Sequence, residues 1–138
     1  MKNLWKVPLI LLLAAVCFTG VSCGQKSTET GLLQGAVTIG PITPVQIQGQ
    51  NPPVPPEVFS SRKVLVYDST GKNLVTQVTI NQINQTADGY YTVQLEAGIY
   101  TIDVTRTGVG GGANLPKQIT ISAGQTTILN IDIDTGIR

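Results

Sequence analysis

The sequence of 138 residues contains no histidine. That absence removes the Ser-His-Asp triad, the Cys-His pair and every imidazole metal ligand from the chemistry open to the chain. Aromatic residues make up only 5 % of it, with one Trp and two Phe. Cysteine occurs twice, at Cys17 and Cys23. Neither sign of charge dominates: nine Lys and Arg stand against eight Asp and Glu. Without a clustered basic face there is no electrostatic footprint for nucleic acid, and no acidic run suggests a solvating tail. A hydrophobic run long enough to cross a bilayer is missing too. The one apolar stretch, residues 7–18, falls short of the roughly 20 residues a spanning helix needs.

What is present is rich in Thr, Val, Ile, Gln and Gly, a composition that favours strands and turns over helices. The first 22 residues read as a signal peptide. Lys2 and Lys6 give a positive start, Leu9 to Leu13 centre the apolar stretch, and the small residues Thr19, Gly20 and Ser22 lead to Cys23. Cys17 lies inside the apolar stretch and behaves there as a small hydrophobe. The segment Val21-Ser22-Cys23-Gly24 resembles the lipobox of bacterial lipoproteins, with Gly20 where that motif usually holds Leu. The resemblance implies cleavage before Cys23 and acylation of Cys23 by palmitate-type chains. It also implies a membrane anchor, since two or more chains hold durably where one binds marginally. The other reading of the same residues is an ordinary secretory signal with an incidental cysteine. Acylation uses the only cysteine of the mature chain, so no disulfide remains for the domain. Gly24 replaces the Asp that directs inner-membrane retention in some bacteria, which favours the outer membrane.

Residues 1–22 are therefore expected to be a lipoprotein signal peptide, 23–30 a flexible tether and 31–138 one β-domain. The tether is the polar tract Gln25-Lys26-Ser27-Thr28-Glu29-Thr30, which has no apolar period. In the domain, alternating segments are punctuated by turn residues. Strands are expected at 31–39, 62–67, 73–80, 90–95, 99–105, 117–121 and 126–133. Their inward residues are Leu33, Val37 and Ile39; Leu74, Val78 and Ile80; Tyr91, Val93 and Leu95; Tyr100, Ile102 and Val104; and Leu129, Ile131 and Ile133. Asp68-Ser69-Thr70-Gly71, Asp88-Gly89 and Ala123-Gly124 mark turns. Residues 41–56 hold six prolines, which bar the segment from a central strand. The fold class is all-β: a sandwich of seven antiparallel strands with Greek-key connections, the first and last strands deep in the pairing order.

The stretch Asp88-Gly89 … Tyr91/Val93/Leu95 … Gly98 … Tyr100 resembles the core of carboxypeptidase regulatory-like domains, which share a transthyretin-like (prealbumin-like) sandwich. The likeness extends over about 31–138. In that group the proline-rich loop often carries a cysteine pair. Thr43 and Val54 stand near the comparable places here, so that staple is absent. The resemblance implies the fold and leaves activity open.

Three constellations bear on chemistry. Gly108, Gly110, Gly111 and Gly112 follow a strand, but Asn114-Leu115-Pro116 and another strand come next. The helix whose N-terminus would bind a pyrophosphate is missing. Asp132 and Asp134 share a face, the solvated one, because Leu129, Ile131 and Ile133 take the other; neither a metal site nor a cofactor is expected. The loop residues Pro52, Pro53, Val54, Pro55, Pro56 and Phe59 form the candidate contact surface, apolar anchors beside a backbone of low entropy. The bland reading of that loop is packing over one end of the sandwich. The function expected is a lipid-anchored, non-catalytic module of the cell envelope, not an enzyme. Its partners would be the membrane through Cys23, and an envelope protein or cell-wall polymer through loops. The alternative is a small-ligand or carbohydrate-binding envelope protein that stacks sugars on Tyr67, Tyr90, Tyr91 and Tyr100.

Overall fold

The computed structural model describes residues 28–45, 47–108 and 110–137. The signal peptide, Cys23 and most of the tether lie outside the described residues. Among the described residues no helix is long and apolar enough to cross a membrane.

The elements in chain order are β1 (Thr30–Gly40), α1 (Glu57–Ser60), β2 (Lys63–Tyr67), β3 (Leu74–Thr79), β4 (Asn81–Gln82), β5 (Asp88–Glu96), β6 (Gly98–Val104), β7 (Gly111–Gly112), β8 (Lys117–Ile121), β9 (Thr126–Ile128) and β10 (Ile131–Asp134). They form two sheets. The first runs β4-β5-β1-β10-β7, with β9 also beside β1; the second runs β3-β2-β6-β8. The all-β sandwich read from the alternation is what forms, with β1 at its centre.

The core lies between the sheets. Leu33, Val37 and Ile39 of β1 are fully buried, as are Val64 and Val66 of β2 and Ile102 of β6. Each such side chain stabilises the fold by about 1.5–3 kcal/mol through removal from water. Val54, Phe59, Val78, Ile80, Tyr91, Leu95, Val104, Ile121, Leu129, Ile131 and Ile133 complete it, with Val93 and Tyr100 packed at its margin. Tyr100 lies over the turn between β5 and β6 and donates its hydroxyl to the Glu96 carbonyl at 2.9 Å.

Four features depart from the sequence reading. The neighbours of β1 are not all antiparallel: β5 is, from Thr30↔Glu96 to Thr38↔Asp88, but β9 and β10 run parallel to β1. A strand with one buried face alternates the same way beside either kind of neighbour, so the pattern carries no sign of direction. Leu74 is not in the core but 45 % exposed. The register of β2 and β3 shifts between Val66↔Thr76 and Tyr67↔Leu74; the extra residue turns Leu74 to the outer face with Tyr67. Asp88-Gly89 is not a turn but the start of β5. The hairpin reverses instead at Asn84 and Gln85, both left-handed with φ of 46° and 57°. Thr86 N–H closes that turn on the Ile83 carbonyl at 2.8 Å. Two successive positive φ values are the signature of a type I′ turn, whose twist suits a two-stranded connection.

The last departure is a break in the C-terminal strand. β9 and β10 keep one offset to β1, Leu32↔Thr126 and Val37↔Ile131, so no residue is inserted between them. At the break the Leu129 carbonyl turns into the core and accepts from the Tyr91 hydroxyl at 2.7 Å. The Ala36 N–H of β1 is satisfied by the Asn130 side-chain oxygen at 3.0 Å. Gly35, between them, has no side chain to obstruct this: a Cβ there would sit 1.9 Å from the Leu129 oxygen.

Candidate functional site

The proline-rich loop is fixed to the sandwich from both ends of residues 52–56. Pro56 opens α1, and the carbonyls of Pro55 and Pro56 accept from Val58, Phe59 and Ser60 N–H at 3.0–3.1 Å. Proline suits this place because its missing N–H is one the first turn leaves unpaired anyway. At the far end of the short helix, the Arg62 guanidinium donates to the Val58 carbonyl at 2.6 Å. The Phe59 ring inserts into the core at 2 % exposure. It reaches β5 because position 89 is glycine, where a Cβ would meet the ring at 2.7 Å.

Upstream, Val54 is the second anchor, at 5 % exposure. Its N–H donates to the Gln85 carbonyl at 2.8 Å. Its carbonyl accepts from Gln82 Nε2 at 2.9 Å, and the same amide group donates to the Thr86 carbonyl at 3.0 Å. One glutamine of β4 thus clips the loop to the turn that follows it. The Thr86 hydroxyl donates to Ile83 and accepts from Asp88 N–H, which closes the turn on itself.

The side chains of Val54 and Phe59 therefore belong to the core and are not free anchors for a partner. Val58 is half-buried. What the loop does expose is Pro52, Pro53, Pro55 and Pro56. None of the four offers an N–H, and the Pro55 and Pro56 carbonyls already accept from α1. Between loop and turn lies a cleft of about 830 Å³. Its walls combine the side chains of Gln48, Gln50, Asn51, Asn84 and Gln85 with the apolar groups of Val45 and Ile47, which are 74 % and 60 % exposed. Asp88 is the one ionisable residue of its lining, and its carboxylate accepts from the Thr38 hydroxyl at 3.1 Å. Val45 and Ile47 lie in the segment that its prolines bar from a central strand, but the sequence does not show that they stay exposed beside the loop.

The other candidates separate. Gly111 and Gly112 pair with β10 opposite Asp134 and Ile133, and a Cβ on Gly110 would stand 1.9 Å from the Asp134 carbonyl. The glycines are thus small because a strand passes close by, not to cradle a phosphate. Asp132 is exposed and Asp134 half-buried. Among the described residues no three of Cys, Asp and Glu gather within reach of one metal ion, and no polar or charged side chain is buried. Asp68 is fully occupied within its own turn. Its carboxylate accepts from Thr70 N–H at 3.0 Å, the Thr70 hydroxyl at 2.5 Å and the Asn73 amide at 2.6 Å. The Thr70 and Asn73 side chains hold it far below the usual carboxylate range. The four tyrosines do not make a platform. Tyr91 is in the core, Tyr100 is half-buried, and Tyr67 and Tyr90 face outward from different sheets.

Neither a protein-family model nor a curated protein matches the chain. Among solved structures it is similar to a DUF3823 family protein from Parabacteroides merdae ATCC 43184, at 25 % identity and a TM-score of 0.42 over 77 % of this chain and 46 % of that one. It is similar to GBS52, the minor pilin of Streptococcus agalactiae, at 15 % identity and a TM-score of 0.44 over 77 % and 44 %. A leucine-rich repeat protein from Bacteroides thetaiotaomicron VPI-5482 aligns at 10 % identity and a TM-score of 0.40, over 80 % of this chain and 14 % of that one. The chain spans less than half the length of each of these proteins.

Proposed function

We propose that the chain is a non-catalytic module of the bacterial cell envelope, anchored by acyl chains on Cys23 and held off the membrane by the polar segment between Cys23 and the start of β1 at Thr30. The β-domain over 31–138, which resembles carboxypeptidase regulatory-like domains, contacts an envelope protein or cell-wall polymer through the proline-rich loop and the cleft beside it. The outer membrane is its favoured site. The observation that carries this reading is the clip on Val54. A loop with four exposed prolines is clipped at Val54 by two hydrogen bonds, to the Gln85 carbonyl and from the Gln82 amide, which also holds the Thr86 carbonyl of the facing turn. A contact surface fixed in advance loses less entropy when it binds. The neutral amide lining suits a partner with its own uncharged donors and acceptors.

The test begins with the intact mass of protein taken from the membrane fraction. The reading requires residues 23–138 plus acyl chains, with the added mass lost in Cys23→Ala. Photo-crosslinking from position 47 in the anchored protein then identifies what lies over the cleft. The expected result is a discrete adduct that disappears in Val45→Asp and weakens in Pro52→Ala/Pro53→Ala. An unlipidated chain overturns the anchor; an adduct pattern indifferent to these substitutions overturns the contact surface.

A further inference from the structure

Five amide side chains line the cleft between the proline-rich loop and the turn joining β4 to β5: Gln48, Gln50, Asn51, Asn84 and Gln85. All five residues are exposed, and none is hydrogen-bonded through its side chain to another described residue. Elsewhere the sandwich spends amides on itself: Asn73 on Asp68, Gln82 on Val54 and Thr86, Gln94 on Thr30 and Asn130 on Ala36. Asn84 and Gln85 are set at the rim by their left-handed backbone, and the Gln85 carbonyl is held by Val54 N–H.

An amide carries donors and an acceptor together, and so does a hydroxyl. A wall of unpartnered amides therefore matches a ligand whose surface is hydroxyls, whichever way their protons turn. Charge points the same way. No Lys or Arg lines the cleft, so nothing there would pair with a phosphate, sulfate or uronate. Its one carboxylate, Asp88, accepts from the Thr38 hydroxyl and keeps capacity for further hydroxyl donors, while it repels an anion. Two residues on, and so on the same outer face of β5, stands Tyr90. It is 50 % exposed, between the exposed Asn81 of β4 and the small, exposed Ala36 of β1. An exposed ring of this kind suits the C–H side of a sugar. A protein partner would rest on Trp, Tyr or Arg anchors packed in desolvated pockets; the cleft is amide-rich and lined by none of the three.

We propose that the cleft and the adjoining face at Tyr90 bind an uncharged glycan chain. This rests on the reading of the cleft as the contact surface and narrows its partner to a polymer of neutral sugars. Sugar units in the cleft exchange hydrogen bonds with the five amides, Asp88 accepts from hydroxyls at its edge, and a unit further along the chain lies on the Tyr90 ring.

The test uses the full chain extracted from its host membrane in a detergent without a sugar headgroup. The probe is an array of neutral oligosaccharides built from hexoses and N-acetylhexosamines, with polygalacturonate and a sulfated glycan for comparison. The chain is expected to bind at least one neutral glycan and neither charged one, with no weakening in salt, which screens only charges. Asn84→Gly/Gln85→Gly keeps the left-handed turn and removes two amides; Tyr90→Ala removes the ring. Each is expected to weaken binding about tenfold with unchanged far-UV circular dichroism. Gln77→Ala, an exposed amide on β3 outside the cleft, is expected to bind as the unsubstituted chain does. Binding to no neutral glycan, or binding indifferent to both cleft variants, overturns the proposal. A polypeptide in place of a glycan in the adduct from position 47 overturns it as well but leaves the contact surface standing; the absence of any adduct removes both.

Discussion

The Tyr91 hydroxyl and the Leu129 carbonyl meet at 2.7 Å inside the sandwich, from strands on opposite sides of β1. They pass over Gly35, the residue of β1 that pairs with Tyr91. The Leu129 carbonyl that a regular ladder would give to β1 is turned inward, and a phenol supplies the donor it needs. Tyr91→Phe keeps the ring and removes that donor. An acceptor left unsatisfied in the core costs about 1–3 kcal/mol. The expected outcome is a lower urea midpoint with an unchanged slope; an unchanged midpoint would show that water replaces the phenol.

Gly35→Ala attacks the same relationship from the other side. The new methyl would lie 1.9 Å from the Leu129 oxygen and 2.6 Å from its carbon, both backbone atoms that cannot rotate away. The strand at 129–130 has to separate from β1. A loss of about 3 kcal/mol or more is expected, at or beyond the upper end of overpacking, together with faster hydrogen exchange at the Leu129 amide, which is bonded to Gln34. A thermal midpoint equal to that of the unsubstituted chain would refute the close approach.

The same tyrosine sets an alkaline limit. Burial raises the Tyr91 phenol well above its ordinary value near 10, and burial followed by the Glu96 charge raises Tyr100. The neutral phenol is the form the folded state keeps. The contribution is therefore complete below about pH 10, where both states hold the proton. It is lost as pH rises further, because the unfolded chain ionises first. Urea midpoints between pH 8 and 11.5 are expected to fall above pH 10 and to fall less steeply in Tyr91→Phe. Parallel curves for the two proteins would assign the alkaline limb to other groups.

The legible part of the fold was whatever a period of two can carry. Ile39, Ile102, Ile131 and Ile133 stand inward as alternation requires, because one buried face imposes that pattern on any strand. Direction, bulges and peptide orientation leave no such trace. Leu74 has the phase of a core residue until the extra residue Val75 of β3 turns it outward, and Leu129 looks like the middle of a continuous strand although its carbonyl has left the ladder. At the candidate site, six prolines marked the loop but not which side chains it would bury. Val54 and Phe59 are apolar residues in a loop, a pattern shared by anchors for a partner and anchors for the core. Only Gly89, small beneath the Phe59 ring, distinguishes the two, and its role depends on a contact 30 residues distant.

At the acid end the relevant group is Asp68. The hydrogen bonds from Thr70 and Asn73 depress its carboxyl far below the ordinary range, against an opposing effect of desolvation. A depressed value means stability that is complete above the ordinary carboxylate value near 4 and is lost as pH falls through and below it. Asp68→Asn removes the titration while keeping one acceptor oxygen. Its stability is expected to be slightly lower at pH 7 and to decline less between pH 4 and 2. An acid limb identical to that of the unsubstituted chain would assign the loss to other carboxylates.

Gln82 connects fold and proposed function most directly, because one amide group donates to both Val54 and Thr86. Gln82→Ala removes both bonds, yet Val54 N–H keeps its partner on Gln85 and its side chain keeps its pocket. The loop is thus expected to loosen rather than detach. Loss of about 1.4 kcal/mol of local stability corresponds to tenfold faster exchange at the Val54 amide if that amide exchanges by local opening. Cleavage by thermolysin within 47–54 should accelerate in parallel, while core amides such as those of Val64 and Ile102 change much less. The four prolines stay exposed and chemically intact in this variant. Weaker crosslinking from position 47 in Gln82→Ala would therefore show that the partner reads the shape of the loop and not merely its composition. Undiminished crosslinking alongside faster Val54 exchange would mean that the prolines are recognised as a flexible segment, and pre-ordering would lose its place in the proposed function.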